Sequence, residues 1–383
     1  MIREPIYYKN FRCIAGDCTD SCCKGWEIDI DEDTLEYYEG LTGQFGDRIK
    51  NEIVLGAVDE DGEEEPPHFS LREGKRCPFL NDRGLCDIIL ELGEEAISEV
   101  CTNHPRYYDW MEQVTEAGVG LCCQEAARLI LTDESMGRLV TEPDDENCEE
   151  ISELDEMLFG MREDCFELIR DRRLSWEDTS KKLLDLAEEE EEKLEAYLYG
   201  ETEDDREAED DENIGDEGSL LCENEGGEPD GEDKICEGFW TATNLKATLQ
   251  YYLDLDINTE GWQDLILEAL PDEMLEKIRG SRSEFEAAHP ECIDQYRRLL
   301  IYFIYRYFMR ARYDEEIVAR IRFALISVYM IETMDILRWI KKDRGDFTLW
   351  DQVCVCKLYS QEIEYDSENV DKITFDGFGS NRF

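Results

Sequence analysis

A chain of 383 residues is long enough for about two or three domains, or one elaborate one, and buries a sizeable core in either case. Its 97 acidic against 40 basic residues give a formal net charge of −57, which excludes the cationic surface that nucleic-acid binding requires. An acidic surface of this kind reads as a device for solubility or for a salty cytoplasm rather than as a docking site. With 3 histidines against 16 cysteines, a metal centre in this chain has to be led by thiolates.

Residues 1 to 12 carry Pro5, Tyr7, Tyr8 and Phe11, an aromatic lead-in suited to shielding a metal site from water. Charge interrupts this start before an apolar run forms, so no signal peptide is expected. Next comes Cys13-Ile-Ala-Gly-Asp-Cys18-Thr-Asp-Ser-Cys22-Cys23, followed by Lys24-Gly25-Trp26. Thiols so dense, set among Gly and short polar residues without an apolar period, predict a ligand loop. In a reducing compartment disulfides are disfavoured, which favours metal over covalent bridges.

Trp26 to Asp31 alternates apolar and acidic residues and predicts an extended run, with a helix starting at Asp33. Residues 59 to 67 are a loop by charge and proline content. Phe69 opens a possible short strand. The second cysteine block, Cys77-Pro-Phe-Leu-Asn-Asp-Arg-Gly-Leu-Cys86, places turn residues Asn81 to Gly84 between two thiols and predicts that both return to one site. A helical stretch from Ile88 to Ser98 leads to Cys101-Thr-Asn-His104-Pro-Arg106-Tyr107, where Pro105 predicts a loop. Cys122-Cys123 then opens a helix, and Cys122 is taken as the ligand of the two.

Beyond about 150, helical periodicity takes over. Met157 to Arg173 and Leu174 to Leu198 read as amphipathic helices, the second opened by a capping box, Ser175-Trp-Glu-Asp178. The run from about Glu188 to Asp233 is dominated by Asp, Glu and Gly and predicts a mobile acidic insertion. Ile293, Tyr296, Leu300, Phe303 and Tyr307 recur at helical spacing, as do Ile317, Ile321, Leu325 and Val328, and both sets predict core faces. Cys354 and Cys356 diverge by about 200 degrees on a helix and are assigned to the core. The most apolar segment, Leu299 to Phe308, is too short to span a bilayer, and a cytoplasmic protein is expected.

Taken together, Tyr7-Tyr8 with Phe11-Arg-Cys13, Cys18 to Trp26 with Ile28-Asp29-Ile30, Cys77-Pro-Phe-Leu, Gly84-Leu-Cys86-Asp-Ile and Cys101-x-x-His104-Pro-Arg106 carry a resemblance. So do Tyr302-Phe-Ile-Tyr-Arg-Tyr-Phe and Tyr359-Ser-Gln-Glu-Ile-Glu364. The sequence resembles the flagellin lysine-N-methylases, whose N-terminal part is similar to zinc- or iron-chelating proteins with a C-x-x-x-C-x-x-C-C start. The start here is C-x4-C-x3-C-C, and Tyr365 and Asp366 stand where the family pattern leads one to expect histidine.

The resemblance implies an iron–sulfur protein with a [4Fe-4S] cluster that uses S-adenosylmethionine to methylate flagellin lysines. No Gly-rich, strand-linked nucleotide loop is present, so the donor is expected at the metal centre or in a helical pocket. The expected metal ligands are Cys13, Cys18, Cys22, Cys23, Cys77, Cys86, Cys101 and Cys122, and the pocket candidates are Trp26, Asp29, His104, Arg106 and Tyr107. Flagellin is the expected partner, with neither nucleic acid nor membrane. The alternative is a non-catalytic zinc- or iron-binding protein.

The expected fold is mainly α: an irregular cysteine-rich metal-binding N-terminal region followed by a helical, bundle-like region. The expected divisions are 1–130 (metal cluster), 131–187 (helical), 188–237 (acidic insertion) and 238–383 (helical).

Overall fold

The computed structural model describes residues 1–56, 65–142, 151–200, 238–257 and 260–376. Helices dominate, as the periodicity predicts. The chain divides into two units, Met1–Glu149 with Gln352–Ser360, and Glu150–Asp351 with Gln361–Phe383. The boundary expected at 130 therefore lies near 150, and a stretch assigned to the C-terminal region belongs to the first unit.

The first unit contains a sheet that composition did not announce. Ile2–Pro5 pairs in parallel with Thr115–Val119 and antiparallel with Leu139–Glu142, while Arg106–Trp110 pairs antiparallel with Thr115–Val119. The strands are short and not uniformly alternating, so their period is invisible in a single window. In the register Tyr107 faces Gly118. A Cβ on Gly118 would lie 2.3 Å from the Tyr107 ring, so only glycine admits the ring there.

A second, two-stranded pairing joins Ile53–Val54 to His68–Phe69 and confirms the short strand at Phe69. Around it lies an apolar cluster of Ile28, Ile30, Tyr38, Ile49, Phe69, Phe79, Leu80 and Ile88. Asp31 caps the helix Glu32–Gly40 through the Thr34 N–H at 2.9 Å and also accepts from the Glu99 N–H at 2.7 Å. One carboxylate thus joins the first helix to the short helix Glu99–Asn103 that carries Cys101.

The second unit is all helix among the described residues. Ile317–Lys341 is its central element, buried almost all round from Ile317 to Leu337, as expected of a helix enclosed by neighbours. Glu291–Tyr307, Trp176–Tyr199 and Asp272–Ala288 pack on it. The predicted faces hold: Tyr296, Leu300, Phe303 and Tyr307 are buried, as are Ile321, Leu325 and Val328. Several of its buried polar groups are paired. Glu332 accepts from Arg282 at 2.8 Å and from the Trp176 indole at 3.3 Å, and Tyr296 donates to Asp335 at 3.1 Å.

Ser175 caps its helix through the Asp178 N–H at 3.0 Å, as the capping box predicts. That helix runs on to Tyr199 and buries Glu190 and Leu194, in line with the helix expected over Leu174 to Leu198, so residues 188–199, which the expected acidic insertion also claimed, are helix. The rest of that stretch, 201–237, lies outside the described residues, as does most of the loop expected at 59–67. No helix among the described residues is long and apolar enough to cross a membrane.

Candidate metal centre

Hydrogen bonding of the backbone brings the first two cysteine blocks together. Lys24 bridges Arg76 antiparallel, the Cys77 N–H donates to Cys23 O at 2.9 Å, and the Gly25 N–H donates to Lys75 O at 3.0 Å. Gly25 sits at φ +96°, a conformation that glycine tolerates without strain. The return from Cys77 to Cys86 is built by Asn81, whose side-chain oxygen accepts from the Arg83 and Leu85 N–H groups at 2.9 and 3.1 Å. Gly84 at φ +73° closes this turn. Leu80 then bridges Cys86, and the Asp87 N–H reaches Phe79 O at 2.8 Å. Both thiols return to one place, as the turn chemistry predicts.

Cys23, Cys77, Cys86 and Cys101 border the same apolar cluster. Every pair among these four interacts electrostatically. Burial pushes Cys77 up to about 12 and Cys101 up to about 11, and it raises Cys86. Cys23 is held below the ordinary thiol value, chiefly because the Cys22 thiol donates to it, with help from Ser21, Arg76 and Lys24. Cys22 is raised by the same hydrogen bond and by burial. The pair therefore places a thiolate at Cys23.

A second group lies on the other side of Cys22, which also interacts with Cys13. Cys18 interacts with Cys13, and Cys123 with both. Gln124 Oε1 accepts from the Cys18 thiol at 3.4 Å, the Thr19 N–H at 3.0 Å and the Thr19 hydroxyl at 3.2 Å. Lys357 forms an ion pair with Asp20 in the same loop. Cys123, which interacts with this group, is the N-cap of helix Gln124–Leu131. Cys122 is buried, with its thiol 3.8 Å from Gly120 O. Of these neighbours the sequence reading takes Cys122 as the ligand.

Among the described residues no three His, Cys, Asp or Glu side chains converge at ion-binding distances. The donor type nonetheless fits a thiolate-held metal: four sulfurs at one apolar cluster, one of them favoured as thiolate, is the chemistry of zinc and iron–sulfur sites alike.

The pocket candidates separate. The Trp26 and His104 rings lie 5.6 Å apart, and the Trp26 indole donates to Cys22 O at 2.5 Å. Burial, and secondarily Lys357, lowers His104 to about 4, so its imidazole is neutral at physiological pH. The Arg106 guanidinium stacks on Phe11 at 5.1 Å and donates to Thr102 O at 3.3 Å. Tyr107, next along the strand, interacts with Tyr7 and packs over Gly118. Asp29 is exposed and contributes a backbone bridge to His68. Of the five, Trp26 touches the cysteine loop at Cys22 O and His104 packs beside Trp26.

A family model described as the FliB lysine N-methylase C-terminal domain matches residues 162–376, more than half of the chain. The chain belongs to the FliB lysine N-methylase family. The flagellar biosynthetic protein FliU of Salmonella muenchen is 28% identical over 135 residues, covering 34% of this chain and 78% of that protein. Lysine-N-methylases of Salmonella choleraesuis (strain SC-B67) and Salmonella typhimurium (strain LT2) are each 26% identical over 132 residues, covering 34% of this chain. The chain matches only 33% of the length of either of those two. No solved structure matches. The FliB-type match falls largely in the helical second unit, whereas the thiol groups lie in the first.

Proposed function

We propose that this FliB-family chain methylates lysine side chains of flagellin with S-adenosylmethionine as donor, and that activity depends on an iron–sulfur centre held by Cys23, Cys77, Cys86 and Cys101. The observation that carries the reading is the family match across 162–376, together with a thiol quartet in the same chain.

Methyl transfer to lysine requires the neutral amine, so a proton leaves an ammonium of pKa about 10 before attack. The nitrogen lone pair then forms the N–C bond as the S–C bond breaks, and its electron pair leaves with the sulfur as a neutral thioether. Three of these four thiolates would hold a [4Fe-4S] cluster, which when bound would supply an open iron for the amino and carboxylate groups of the donor. Around it, Trp26 and His104 offer flat, uncharged ring faces beside Cys22, an environment that accommodates a sulfonium.

The test is incubation of anaerobically purified protein with flagellin and methyl-labelled donor, followed by mapping of lysine masses alongside iron, sulfide and zinc analysis. Labelled lysines and stoichiometric iron with sulfide are expected. Stoichiometric zinc without sulfide would overturn the cluster. Absence of methylation by metal-replete protein would overturn the activity.

A further inference from the structure

A short helical segment of the first unit carries a single charge, and that charge is buried against the cysteine loop. Residues 352–360, Gln-Val-Cys-Val-Cys-Lys357-Leu-Tyr-Ser, are part of helix Leu349–Ile363. They group with the first unit, although they lie inside the stretch that the family model matches. Val353, Val355, Cys356 and Tyr359 are buried, and so is Lys357, whose side chain is 6% exposed. Its ammonium pairs with Asp20, 337 residues earlier in the chain, whose side chain is 57% exposed. It also acts electrostatically on Cys18 and on His104.

Packing does not call for a lysine at this position. Burying an ammonium carries a large desolvation penalty, and a carboxylate that is itself mostly in solvent offsets it poorly. A methionine would fill the same space without that penalty. What the pair does accomplish is to fix Asp20. Residues 18–23 form neither helix nor strand, so separate attachments set their path. Gln124 accepts from the Thr19 N–H at 3.0 Å, the Trp26 indole donates to Cys22 O at 2.5 Å, and the Cys77 N–H donates to Cys23 O at 2.9 Å. Between the first and second of these lies Asp20, whose carbonyl accepts from the Cys18 thiol at 3.1 Å.

We propose that Lys357 is a positioning residue for the thiol centre: through Asp20 it holds the loop that carries Cys22 and Cys23, and so controls how fast the centre gives up its metal. It is not itself a ligand, since an ammonium has no lone pair to donate. It acts from behind the ligands, where removing an orienting group typically lowers metal affinity about 10–100-fold. The assignment rests on the reading that Cys23, Cys77, Cys86 and Cys101 hold a metal.

The test follows loss of iron and of zinc to excess EDTA from the full chain, purified anaerobically and compared at matched metal content and matched far-UV circular dichroism. Lys357→Met keeps an unbranched stem, removes the ammonium and leaves Asp20 in solvent, so no buried charge is stranded. It is expected to release metal at least about tenfold faster. Asp20→Asn, at an exposed position, is expected to release metal faster as well, and combining the two should add nothing to Lys357→Met, because both cut the same link. Asp20→Glu preserves the pair, since the exposed carboxylate has room for one more methylene, and should release metal at the wild-type rate. Release at the wild-type rate by Lys357→Met would overturn the assignment. So would release by Asp20→Glu as fast as by Lys357→Met, which would show that side-chain packing and not the ion pair matters. Zinc without sulfide, released faster by Lys357→Met, would uphold the link and remove the iron–sulfur reading. Iron and sulfide released at equal rates by Lys357→Met and wild type would do the reverse.

Discussion

Asp87 holds the second cysteine turn in shape, and replacing it tests whether local scaffolding positions the thiols. Its carboxylate pairs with Arg48 at 2.9 Å and accepts from the Asn81 amide at 3.0 Å, and Asn81 in turn organises the path from Cys77 to Cys86. The ion pair is partly exposed, 36% on Arg48 and 24% on Asp87, so it contributes about 0.5–1 kcal/mol. The hydrogen bond to a charged acceptor adds about 1.5 kcal/mol. Asp87→Ala should therefore cost about 2 kcal/mol and lower the thermal midpoint of the first unit by about 4–8 °C. It should also speed metal loss to a chelator, because Cys86 is the adjacent residue. Arg48→Met should act on the same pair, so the double variant should cost less than the sum of the two. Circular dichroism melts and timed iron release measure both effects. An unmoved midpoint with unchanged metal release would refute the idea that this carboxylate scaffolds the site.

Three further predictions concern separate parts of the chain. Cys77→Ala should lose most of the bound iron while Cys292→Ala keeps it, because Cys77 borders the thiol quartet and Cys292 is a buried helix residue of the second unit; iron and sulfide analysis of both decides this. Gly118→Ala should cost about 1–3 kcal/mol, because its Cβ would lie 2.3 Å from the Tyr107 ring; a denaturant midpoint matching wild type would contradict the packing. Asp351 accepts from Lys342 at 2.7 Å and from the Thr348 N–H and hydroxyl at 2.9 and 2.8 Å. Burial raises its pKa, but these partners outweigh it and hold the group below the usual value. A depressed carboxylate contributes stability above its unfolded pKa, and the contribution is lost as pH falls through the folded one. Asp351→Ala should therefore be destabilised by about 1 kcal/mol at neutral pH and should match wild type in strong acid, as melts across pH will report.

The sequence by itself determined what depends on local period and local chemistry. Helical spacing marked the buried faces of Glu291–Tyr307 and Ile317–Lys341, a Ser-x-x-Asp box marked the start at Ser175, and Asn81 to Gly84 announced the turn that returns Cys77 and Cys86 to one place. The spacing of Cys13 to Cys23 among Gly and short polar residues announced an irregular segment, since no helix face or strand needs such spacing. Tertiary structure alone decided what depends on distance along the chain. The strand Ile2–Pro5 finds partners more than a hundred residues away, and nothing within a short window carries that pairing. Which thiols share a neighbourhood, Cys23 with Cys77, Cys86 and Cys101, and Cys123 with Cys13 and Cys18, follows from long-range backbone bonds and a helix cap. The donor set around Glu364 is of the same kind. Helical spacing marks Glu291–Tyr307 as a helix, but only folding places Tyr302, Arg306 and Tyr307 against a carboxylate some sixty residues later.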